Sequence, residues 1–446
     1  MRFIKSAGTT LAFKIIAMSF GLGISVLIGR AMGPEGRGVY GLVMTVIMIS
    51  SVFGVFGLGA ANAYFIAKDR NHARVIGWQS LFVGIAGAAV STVAVLFVRH
   101  LAPAVLKGLE GPVLVITLLM VPLFLWGNLY ARAYLGLGRV VAFNTFETFG
   151  RGIFFGAAAV VILFMNRDMT FYLASVLACL SLLTLGYIIR YFQISPSGKT
   201  KAREFFTLSI SYGVRPWIAA VFTWITIRSG IFFVNYFKGT AEAGLFSVAQ
   251  QISELLIIVP SVVGAILFPR VASGDSKDLT AKVLRTMNAV FLPLFLLLAF
   301  LAEPIITLLF GAEFLPSAVA LRIILPGAYL LGLEVIIAGD IAGRGYPWPV
   351  ALIWIPVFAI NAIGYMILVP RYGIDGAALA TSISYALIFV YMTFQLRKMT
   401  SFTLSQLFIP RLADLRALLS SSRFGSGGQA QSNAAADDTV ERGAGL

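Results

Sequence analysis

The sequence predicts an all-α polytopic membrane protein with about 12 transmembrane helices, arranged as two parallel six-helix repeats around a central cavity. Its composition, the recurrence of apolar stretches and a doubled loop predict this class. Of the 446 residues, 59% are hydrophobic and 12% are charged, and the mean hydropathy is +0.90. A globular protein needs more polar surface than such a composition supplies.

Apolar stretches long enough to cross a membrane recur along nearly the whole chain. A transmembrane helix needs about 20 predominantly apolar residues, and the predicted spans are 8–29, 39–66, 75–98, 112–135, 142–164, 169–191, 208–237, 243–268, 286–309, 318–339, 349–369 and 376–396. The first is too long for the apolar core of a signal peptide, and no small-residue cleavage site precedes Arg30. We therefore expect an uncleaved helix there.

One glycine-rich loop occurs twice in the sequence. The stretch IGRAMGPEGRGVYGLV (28–43) matches VNYFKGTAEAGLFSVA (234–249), so that Gly33 falls on Gly239 and Gly38 falls on Gly244, 206 positions later. Because six predicted spans separate the copies, the second half enters the membrane in the same direction as the first, which predicts a parallel repeat. The glycines supply the backbone freedom that a tight turn between helices requires.

The basic residues predict the orientation. The formal net charge is +15, but most Lys and Arg residues fall in alternate connections, which the positive-inside rule places in the cytoplasm together with both termini. The opposite, outer connections hold fewer, among them Arg30, Arg37 and Lys238. We therefore attribute the charge to membrane topology and expect no nucleic-acid partner.

A polar, basic segment divides the apolar chain. Residues 195–204 predict a cytoplasmic linker between an N-lobe, residues 1–194, and a C-lobe, residues 205–397. Residues 398–446 predict a cytoplasmic tail that is largely disordered, because its small and polar residues cannot bury enough apolar surface to fold.

Ionisable side chains inside the spans are the candidate site residues. Each costs about 2.5 to 3.5 kcal/mol at the bilayer centre and must therefore face protein or water. They are Lys14, Glu147, Arg151, Arg215, Arg228, Glu254, Glu334 and Asp340. The single cysteine, Cys179, and two histidines without metal-ligand spacing lead us to expect no metal, cofactor or catalytic residue.

Lys14 and Arg215 lie toward the cytoplasmic ends of spans one and seven. From there each could reach the lipid headgroups, or each could line a cavity that opens to the cytoplasm. Gly213 and Pro216 would let the long seventh helix bend beside Arg215. Both interpretations remain open for the two residues.

Arg228 lies in mid-span, too deep to reach either headgroup layer comfortably. It could pair with Glu254, because the two residues are twelve and fourteen positions from the turn near Thr240 and so reach similar depths. It could instead be a cation that faces the substrate, since buried ions inside transporters mark a pathway. Glu254 and Glu334 are the acids that could titrate if protons drove transport.

Two further pairs have helical spacing. Glu147 and Arg151 are separated by four residues with the acid first, which favours an ion pair on one helix; a cavity role for Arg151 is the alternative. Asp340 and Arg344 share this spacing near a connecting loop and are interpreted as structural.

Three motifs resemble those of one family. They are the GPEGRGVY loop within residues 28–42, its copy ending in GLF, and above all VPRYGIDGAALATSISYAL (369–387). Over residues 6–397 the chain resembles the polysaccharide flippases of the multidrug, oligosaccharidyl-lipid and polysaccharide exporter superfamily. This resemblance implies two six-helix lobes that carry a lipid-linked glycan between leaflets by alternating access. Relatives often carry an acid in the middle of helix seven, where this chain has IRSGIFF (227–233) with Gly230.

The resemblance and the embedded cations together predict a flippase for a polyprenyl-pyrophosphate-linked oligosaccharide in the bacterial inner membrane, serving the synthesis of a surface polysaccharide such as O-antigen. Arg and Lys side chains would bind its phosphates. Expected partners are this lipid-linked glycan, membrane lipids and polysaccharide polymerase or assembly proteins. Two alternatives remain: a multidrug antiporter of the same superfamily, which would need acidic cavity residues, and a glycan polymerase or ligase, which would need a larger outer loop.

Overall fold

The protein is helical in its computed structural model. The structure describes residues 2–164, 168–196, 202–274, 278–345 and 348–411, and these ranges contain no β-strand. Within the same ranges, ten helices are long and apolar enough to cross a membrane. The prediction of an all-α, multi-pass membrane protein is therefore confirmed.

The described part of the N-terminal half contains six α-helices: α1 (Arg2–Gly54), α2 (Leu58–Lys68), α3 (Ala73–Leu101), α4 (Gly111–Gly136), α5 (Val140–Phe164) and α6 (Met169–Ile194). The central helix α4 is tied to its neighbours by tyrosines. Tyr130 donates to the carbonyl of Gly77 in α3 (2.8 Å), and Tyr134 donates to the carbonyl of Tyr187 in α6 (2.9 Å). Polar groups in a membrane protein must find such partners internally, since hydrocarbon offers none.

The described part of the C-terminal half contains nine: α7 (Ala202–Arg228), α8 (Gly230–Lys238), α9 (Thr240–Ala272), α10 (Leu279–Phe300), α11 (Ala302–Phe310), α12 (Pro316–Gly343), α13 (Trp348–Leu352), α14 (Trp354–Thr400) and α15 (Leu404–Phe408). Three predicted spans of this half are interrupted within the described residues. The seventh breaks between α7 and α8, beside Arg228, the ninth breaks at Leu301, between α10 and α11, and the eleventh breaks at Ile353, between α13 and α14.

Helical structure continues past residue 398, where we placed the start of the tail. After α14 ends, α15 lies against α10, because Arg285 donates to the carbonyl of Gln406 (2.6 Å) and Asn288 donates to the carbonyl of Phe408 (2.6 Å). The predicted disordered tail falls mostly on residues 412–446, and much of the predicted linker falls on residues 197–201. Both segments lie outside the described residues.

Two helices are too long for one crossing. α1 has 53 residues and α14 has 47, whereas about 20 residues cross the hydrocarbon core. Each bends at a glycine with positive φ, Gly33 (65°) and Gly373 (58°). Gly239, the counterpart of Gly33, also has a positive φ (93°). Two crossings in each bent helix are consistent with the predicted total of twelve.

Glycine turns gather at one end of the molecule, which we call the glycine end; they include Gly33, Gly108, Gly239, Gly311 and Gly373. Side-chain bonds tie these turns together. Arg30 donates to the carbonyl of Leu309 (2.7 Å), and Lys238 donates to the carbonyl of Pro370 (2.9 Å). We call the opposite end, with the connections that follow α2, α4 and α9, the basic end.

The doubled loop brings the two halves into backbone contact at the glycine end. A Cβ atom on Gly38 would lie 1.9 Å from the carbonyl oxygen of Thr240, and a Cβ atom on Gly244 would lie 1.9 Å from that of Pro34. Pro34 and Thr240 are 206 positions apart, as are Gly38 and Gly244. Exchanging the halves therefore maps this contact onto itself, which is a local two-fold relation between the copies.

Candidate functional site

Charged and polar side chains from both halves meet between them, and we call this group the arginine cluster: Arg37, Arg151, Arg228, Gln251 and Glu254. The N-terminal half supplies two arginines, from α1 and α5, and the C-terminal half supplies the other three residues, from α7 and α9. Arg37 and Arg228 are close enough to repel each other, and Arg151 is close enough to Glu254 to attract it. The cluster therefore spans the boundary between the halves.

The cluster lies near the middle of the helices. Ser25, which accepts a hydrogen bond from Arg37, precedes the Gly33 bend by eight residues, and Arg228 precedes the Gly239 turn by eleven. At 1.5 Å per residue these positions are roughly 12 and 16 Å from the glycine end. The hydrocarbon core is about 30 Å thick, so the cluster lies near its centre.

Arg228 forms an ion pair with Glu254. Its Nη2 lies 2.5 Å from Oε2 of Glu254, and each side chain is 21% exposed. Gln250 donates to the other carboxylate oxygen of Glu254 (3.0 Å), and the guanidinium lies over the Trp224 ring. Of the two interpretations that the sequence left open, the structure shows the pair. The remaining exposure leaves a ligand-facing role for Arg228 as a prediction.

Arg151 pairs with Glu147, as the spacing predicts. Its Nη2 lies 3.1 Å from Oε1 of Glu147, with side-chain exposures of 37% and 55%. Its Nη1 donates to the carbonyl of Ala17 in α1 (3.4 Å) and lies 3.0 Å from where a Cβ on Gly21 would stand. Glycine at position 21 therefore gives the guanidinium room against α1. Because more than a third of Arg151 is exposed, a ligand can reach it.

Arg37 is a cluster member that sequence reasoning missed. Its Nε donates to Ser25 Oγ (2.9 Å), its Nη2 donates to Gln251 Oε1 (2.7 Å), and its guanidinium lies over the Tyr40 ring. The residue is only 4% exposed, and its Nη1 has no hydrogen-bond partner within the described residues. Arg37 thus bonds to both halves while one of its donors stays unpaired.

The prediction that Arg37 belongs to an outer connection is wrong. The helix resumes directly after the Gly33 bend, with Pro34 at its start, so Arg37 lies in the first turn and points between the halves. The sequence does indicate that a helix begins here, because Pro34 follows Gly33 and proline is favoured at the first position of a helix. Gly38 and Gly41 follow at helical spacing and mark a closely packed face.

Lys14 and Arg215 are not brought into the cluster by any contact that the structure describes. Lys14 is partly exposed in α1 beside exposed Ile15 and Ile16, seven residues before Gly21. Arg215 belongs to α7, near the point where this helix meets the end of α1, but its side chain lies outside the described residues. Their proposed contact with a ligand remains a prediction for both.

The two acids of α12 differ. Asp340 accepts hydrogen bonds from Arg344 (2.6 Å) and from Thr280 (2.5 Å), which supports the structural interpretation of that pair. Glu334 is 3% exposed, and within the described residues we find no ion pair or hydrogen bond to it. Its proposed titration, like that of Glu254, remains a prediction.

The seventh predicted span has no room for an acid at position 230, where relatives often carry one. In the structure this position, Gly230, is the first residue of α8. A Cβ on Gly230 would lie 2.9 Å from the hydroxyl of Tyr365 and 2.8 Å from the ring of Phe246. The Tyr365 hydroxyl shares a hydrogen bond with Thr381 (2.8 Å). Tyr365 therefore occupies the space that an acidic side chain at position 230 would need.

At the glycine end, hydrogen bonds reinforce the contact between the halves. The Asn235 side chain in α8 donates to the carbonyls of Val105 (3.0 Å) and Lys107 (3.0 Å), which belong to the connection between α3 and α4. Thr240 also donates to the Lys107 carbonyl (3.3 Å). Together with the glycine contacts, these bonds join the two halves at the glycine end, beyond the arginine cluster.

At the basic end, the contacts that we identify between the halves join α1 and α2 to α7. Gly57 and Gly213 meet backbone to backbone, Trp217 donates to the carbonyl of Val52 (2.8 Å), and the Tyr64 and Tyr212 rings stack with centroids 4.6 Å apart. Away from this end, the second half of α1, the later part of α3 with the connection that follows it, and Phe232 line an apolar cavity of about 240 Å³. Its lining suits hydrocarbon and not a charged group.

Comparison with solved structures supports the fold. The structure is similar to that of the lipid II flippase MurJ in an inward closed conformation, with a TM-score of 0.69 and 17% identity over 87% of each chain. It is also similar to an inward-facing multidrug resistance MATE family transporter of the MOP superfamily, with a TM-score of 0.69 and 13% identity over 89% of this chain and 99% of the other. At such identities the likeness shows the fold alone.

Similarity to known sequences is distant but extensive. The chain is 24% identical over 414 residues to an uncharacterized membrane protein of Methanocaldococcus jannaschii, covering 84% of this chain and 80% of that protein. It is 22% identical over 375 residues to the "Putative O-antigen transporter" of Shigella flexneri, covering 80% and 88%. A "Probable low-salt glycan biosynthesis flippase" of Haloferax volcanii is 25% identical over 199 residues, 43% of this chain and 41% of that protein.

Two family descriptions match the sequence. The one described as "Lipid II flippase MurJ" matches residues 247–423. The one described as "Polysaccharide biosynthesis protein" matches residues 27–319, well over half of the chain. The chain, a helical membrane protein with a charged cluster between two halves, therefore belongs to the polysaccharide biosynthesis protein family.

Proposed function

We propose that the protein is a flippase that moves a polyprenyl-pyrophosphate-linked oligosaccharide across the bacterial inner membrane by alternating access, for the synthesis of a surface polysaccharide. The observation that carries this proposal is the arginine cluster. It places Arg37, Arg151 and Arg228 between the halves, and the acids paired with them in the described part of the chain are Glu147 and Glu254. A net positive charge at this depth is costly, and an anionic ligand would offset that cost.

The chemistry of such a substrate fits the cluster. Its pyrophosphate carries two negatively charged phosphates, which must leave the headgroup layer during translocation. Guanidinium groups donate paired, charge-assisted hydrogen bonds to phosphate oxygens, and these bonds are strongest where water is scarce. The polyprenyl chain would remain in the hydrocarbon while the glycan crosses between the halves.

The comparisons support the same assignment. Family membership associates the chain with polysaccharide biosynthesis, and two relatives are described as an O-antigen transporter and a glycan biosynthesis flippase. The fold is shared with the lipid II flippase MurJ. The protein would therefore move its substrate without breaking covalent bonds, and proteins that polymerise or assemble the glycan would act on the product.

The packing supports alternating access. The halves touch at both ends through separate contacts: the two copies of the doubled loop meet at the glycine end, and Gly57 meets Gly213 of α7 at the basic end. We assign the basic end and both termini to the cytoplasm on the positive-inside rule. Residues 1–194 and 205–397 would then be the two moving lobes, joined by the linker 195–204 and followed by the tail 398–446.

The antiporter alternative is weakened by the partners of the acids. An exporter of organic cations needs a free and accessible carboxylate in its cavity, but Glu254 is paired with Arg228 and Glu147 with Arg151, and Glu334 is only 3% exposed. Efflux of a cationic dye that is lost in Glu254→Gln and Glu334→Gln variants would favour the antiporter.

The decisive experiment measures on which leaflet the lipid-linked glycan resides. Deleting the gene should trap undecaprenyl-linked glycan on the cytoplasmic leaflet. Complementation with Arg151→Ala or Arg228→Lys should reduce translocation at least tenfold, because each variant loses charge-assisted hydrogen bonds of about 1.5 to 3 kcal/mol. Lys14→Ala and Arg215→Ala test the remaining two predicted cations and should act in the same direction.

The matched control is Arg322→Ala. Arg322 is an exposed arginine of α12 that pairs with Glu303 of α11 (2.7 Å), away from the cluster. This variant should translocate normally when its membrane abundance equals that of the wild type. Normal surface glycan with Arg151→Ala and Arg228→Lys would contradict a cationic pathway.

A further inference from the structure

We propose that Arg37 is a latch that holds the glycine end shut and that, once released, it binds the anionic phosphate group of the substrate. This inference rests on the proposed flippase function and adds a binding residue to it. The contacts of Arg37 cross the boundary between the halves. When the halves separate at the glycine end, its guanidinium therefore becomes part of the cavity that opens there.

The latch is a short chain of hydrogen bonds. Arg37 donates to Ser25 within the N-terminal half (2.9 Å) and to Gln251 of the C-terminal half (2.7 Å). The Gln251 amide donates in turn to the carbonyl of Gly21 in α1 (3.2 Å). The Gln251 amide is therefore hydrogen-bonded to α1 at two positions, Arg37 and Gly21. Separation of the halves at this level must break both bonds.

The guanidinium of Arg37 is incompletely satisfied while the latch is closed. Both of its acceptors are neutral, its nearby charged neighbour Arg228 repels it, and its Nη1 has no hydrogen-bond partner in the described part of the chain. Arg228 also has a donor, Nε, without a partner among the described residues, but unlike Arg37 it is bound to a carboxylate, that of Glu254. A buried donor left unpaired is destabilising, so the closed state favours release of Arg37 when a better acceptor arrives.

A phosphate group is that better acceptor. Its oxygens match the guanidinium fork and carry charge, so their hydrogen bonds are roughly twice as strong as those to a neutral amide. A phosphate that reaches Arg37 would displace Gln251 and thereby open the latch. The arrival of the substrate headgroup and the opening of the glycine end would thus be a single event.

The order of the arginines along α1 gives the movement a direction. Arg151 contacts α1 at Ala17 and Gly21, whereas Arg37 contacts it at Ser25, one helical turn or about 6 Å nearer the glycine end. A phosphate held first by Arg151 and Arg228 would advance toward the glycine end when it passes to Arg37.

The latch can be tested by thiol labelling of the full chain in nanodiscs. Cys179→Ser removes the native thiol, and Ser247→Cys reports on the interface, because Ser247 is buried with its Cβ 3.3 Å from the Cβ position of Gly41. With Gln251→Ala, maleimide should react about tenfold faster or more, since a bond to a charged group is lost. With Gln251→Glu, which gives Arg37 an acidic partner, the reaction should slow. Unchanged rates in both variants would overturn the latch.

The phosphate site can be tested by titrating the same protein with farnesyl diphosphate. In the Gln251→Ala background, Arg37→Gln should weaken binding at least about tenfold, and Arg37→Lys should restore part of the affinity. Arg322→Gln is the control and should bind as its parent does. Equal affinity with Arg37→Gln and its parent would overturn the site.

The two proposals can fail separately. Normal glycan translocation by the Arg151 and Arg228 variants would remove the flippase function, while the labelling rates with Gln251→Ala and Gln251→Glu would still report the latch. Conversely, impaired translocation by those variants together with unchanged labelling would leave the flippase standing without Arg37 as its latch.

Discussion

The two ends of the molecule are joined in different ways. At the glycine end, both copies of the doubled loop contribute, and Gly38 and Gly244 bring opposite backbones into direct contact. At the basic end, Gly57 and Gly213 also meet, but aromatic rings such as that of Trp217 surround them and the contact belongs to α1, α2 and α7. At the glycine end, equivalent segments of the two repeats contact each other. At the basic end, the contact joins segments that are not equivalent in the two halves.

This difference suggests how the halves could rock. A junction made of two backbone contacts and several hydrogen bonds tolerates little deformation, because close-packed groups separate or fit but do not stretch. At the basic end, by contrast, the backbone contact that we identify is confined to Gly57 and Gly213. Stacked rings can slide against each other while remaining in contact. We therefore expect the glycine end to behave as a gate with two states and the contact between α2 and α7 at the basic end to behave as a hinge.

The largest effect is expected from a side chain inserted into the gate. Gly38→Val would place a Cβ 1.9 Å from the carbonyl oxygen of Thr240, so the two halves could no longer meet there. Translocation should fall below detection, and the Ser247→Cys reporter should label faster even without substrate. Gly156→Val is the matched control, because no atom lies within 4 Å of a Cβ at that position. Near-normal transport by Gly38→Val would show that the glycine contact is dispensable.

An intermediate effect is expected from Asn235→Ala, which removes hydrogen bonds between the halves without adding bulk. The buried amide of Asn235 donates to carbonyls of the connection between α3 and α4, and leaving these groups unpaired costs roughly 1 to 3 kcal/mol. The gate should open more often, which fluorescence of a probe across the glycine end or reporter labelling would detect as an increase of about tenfold.

Its control is Asn71→Ala, an exposed asparagine at the basic end. If both asparagine variants label at the wild-type rate, hydrogen bonds do not contribute to the gate and the glycine contact acts alone.

The sequence predicted the fold where a local pattern decides it. Hydropathy predicted the helical spans, and helical spacing predicted the pair of Glu147 with Arg151. Hairpin geometry brought Arg228 and Glu254 to the same depth, which the ion pair at 2.5 Å bears out. These relations depend on residues within one helix or in neighbouring helices, so they can be read from one sequence.

Arg37 shows what could not be predicted in this way. In the sequence it stands among Gly, Pro and Glu residues and looks like part of a loop, while its partner Gln251 is 214 positions away. The doubling of the glycine loop was visible, but the packing of its two copies against each other depends on how the halves meet. The breaks beside Arg228 and at Leu301 likewise depend on tertiary contacts and not on local composition.

The smallest effect is expected at the hinge. Trp217→Phe keeps an aromatic ring beside Phe53 and Phe56 but loses the indole hydrogen bond to the carbonyl of Val52, which is worth about 1 kcal/mol. If the basic end is a sliding contact, translocation should change less than about threefold and the reporter at Ser247 should label at the wild-type rate. Trp78→Phe, at a largely exposed tryptophan, controls for loss of the indole. A loss of transport as large as that of Gly38→Val would show that the two ends are equally rigid, because a hinge that tolerates sliding cannot depend on one hydrogen bond.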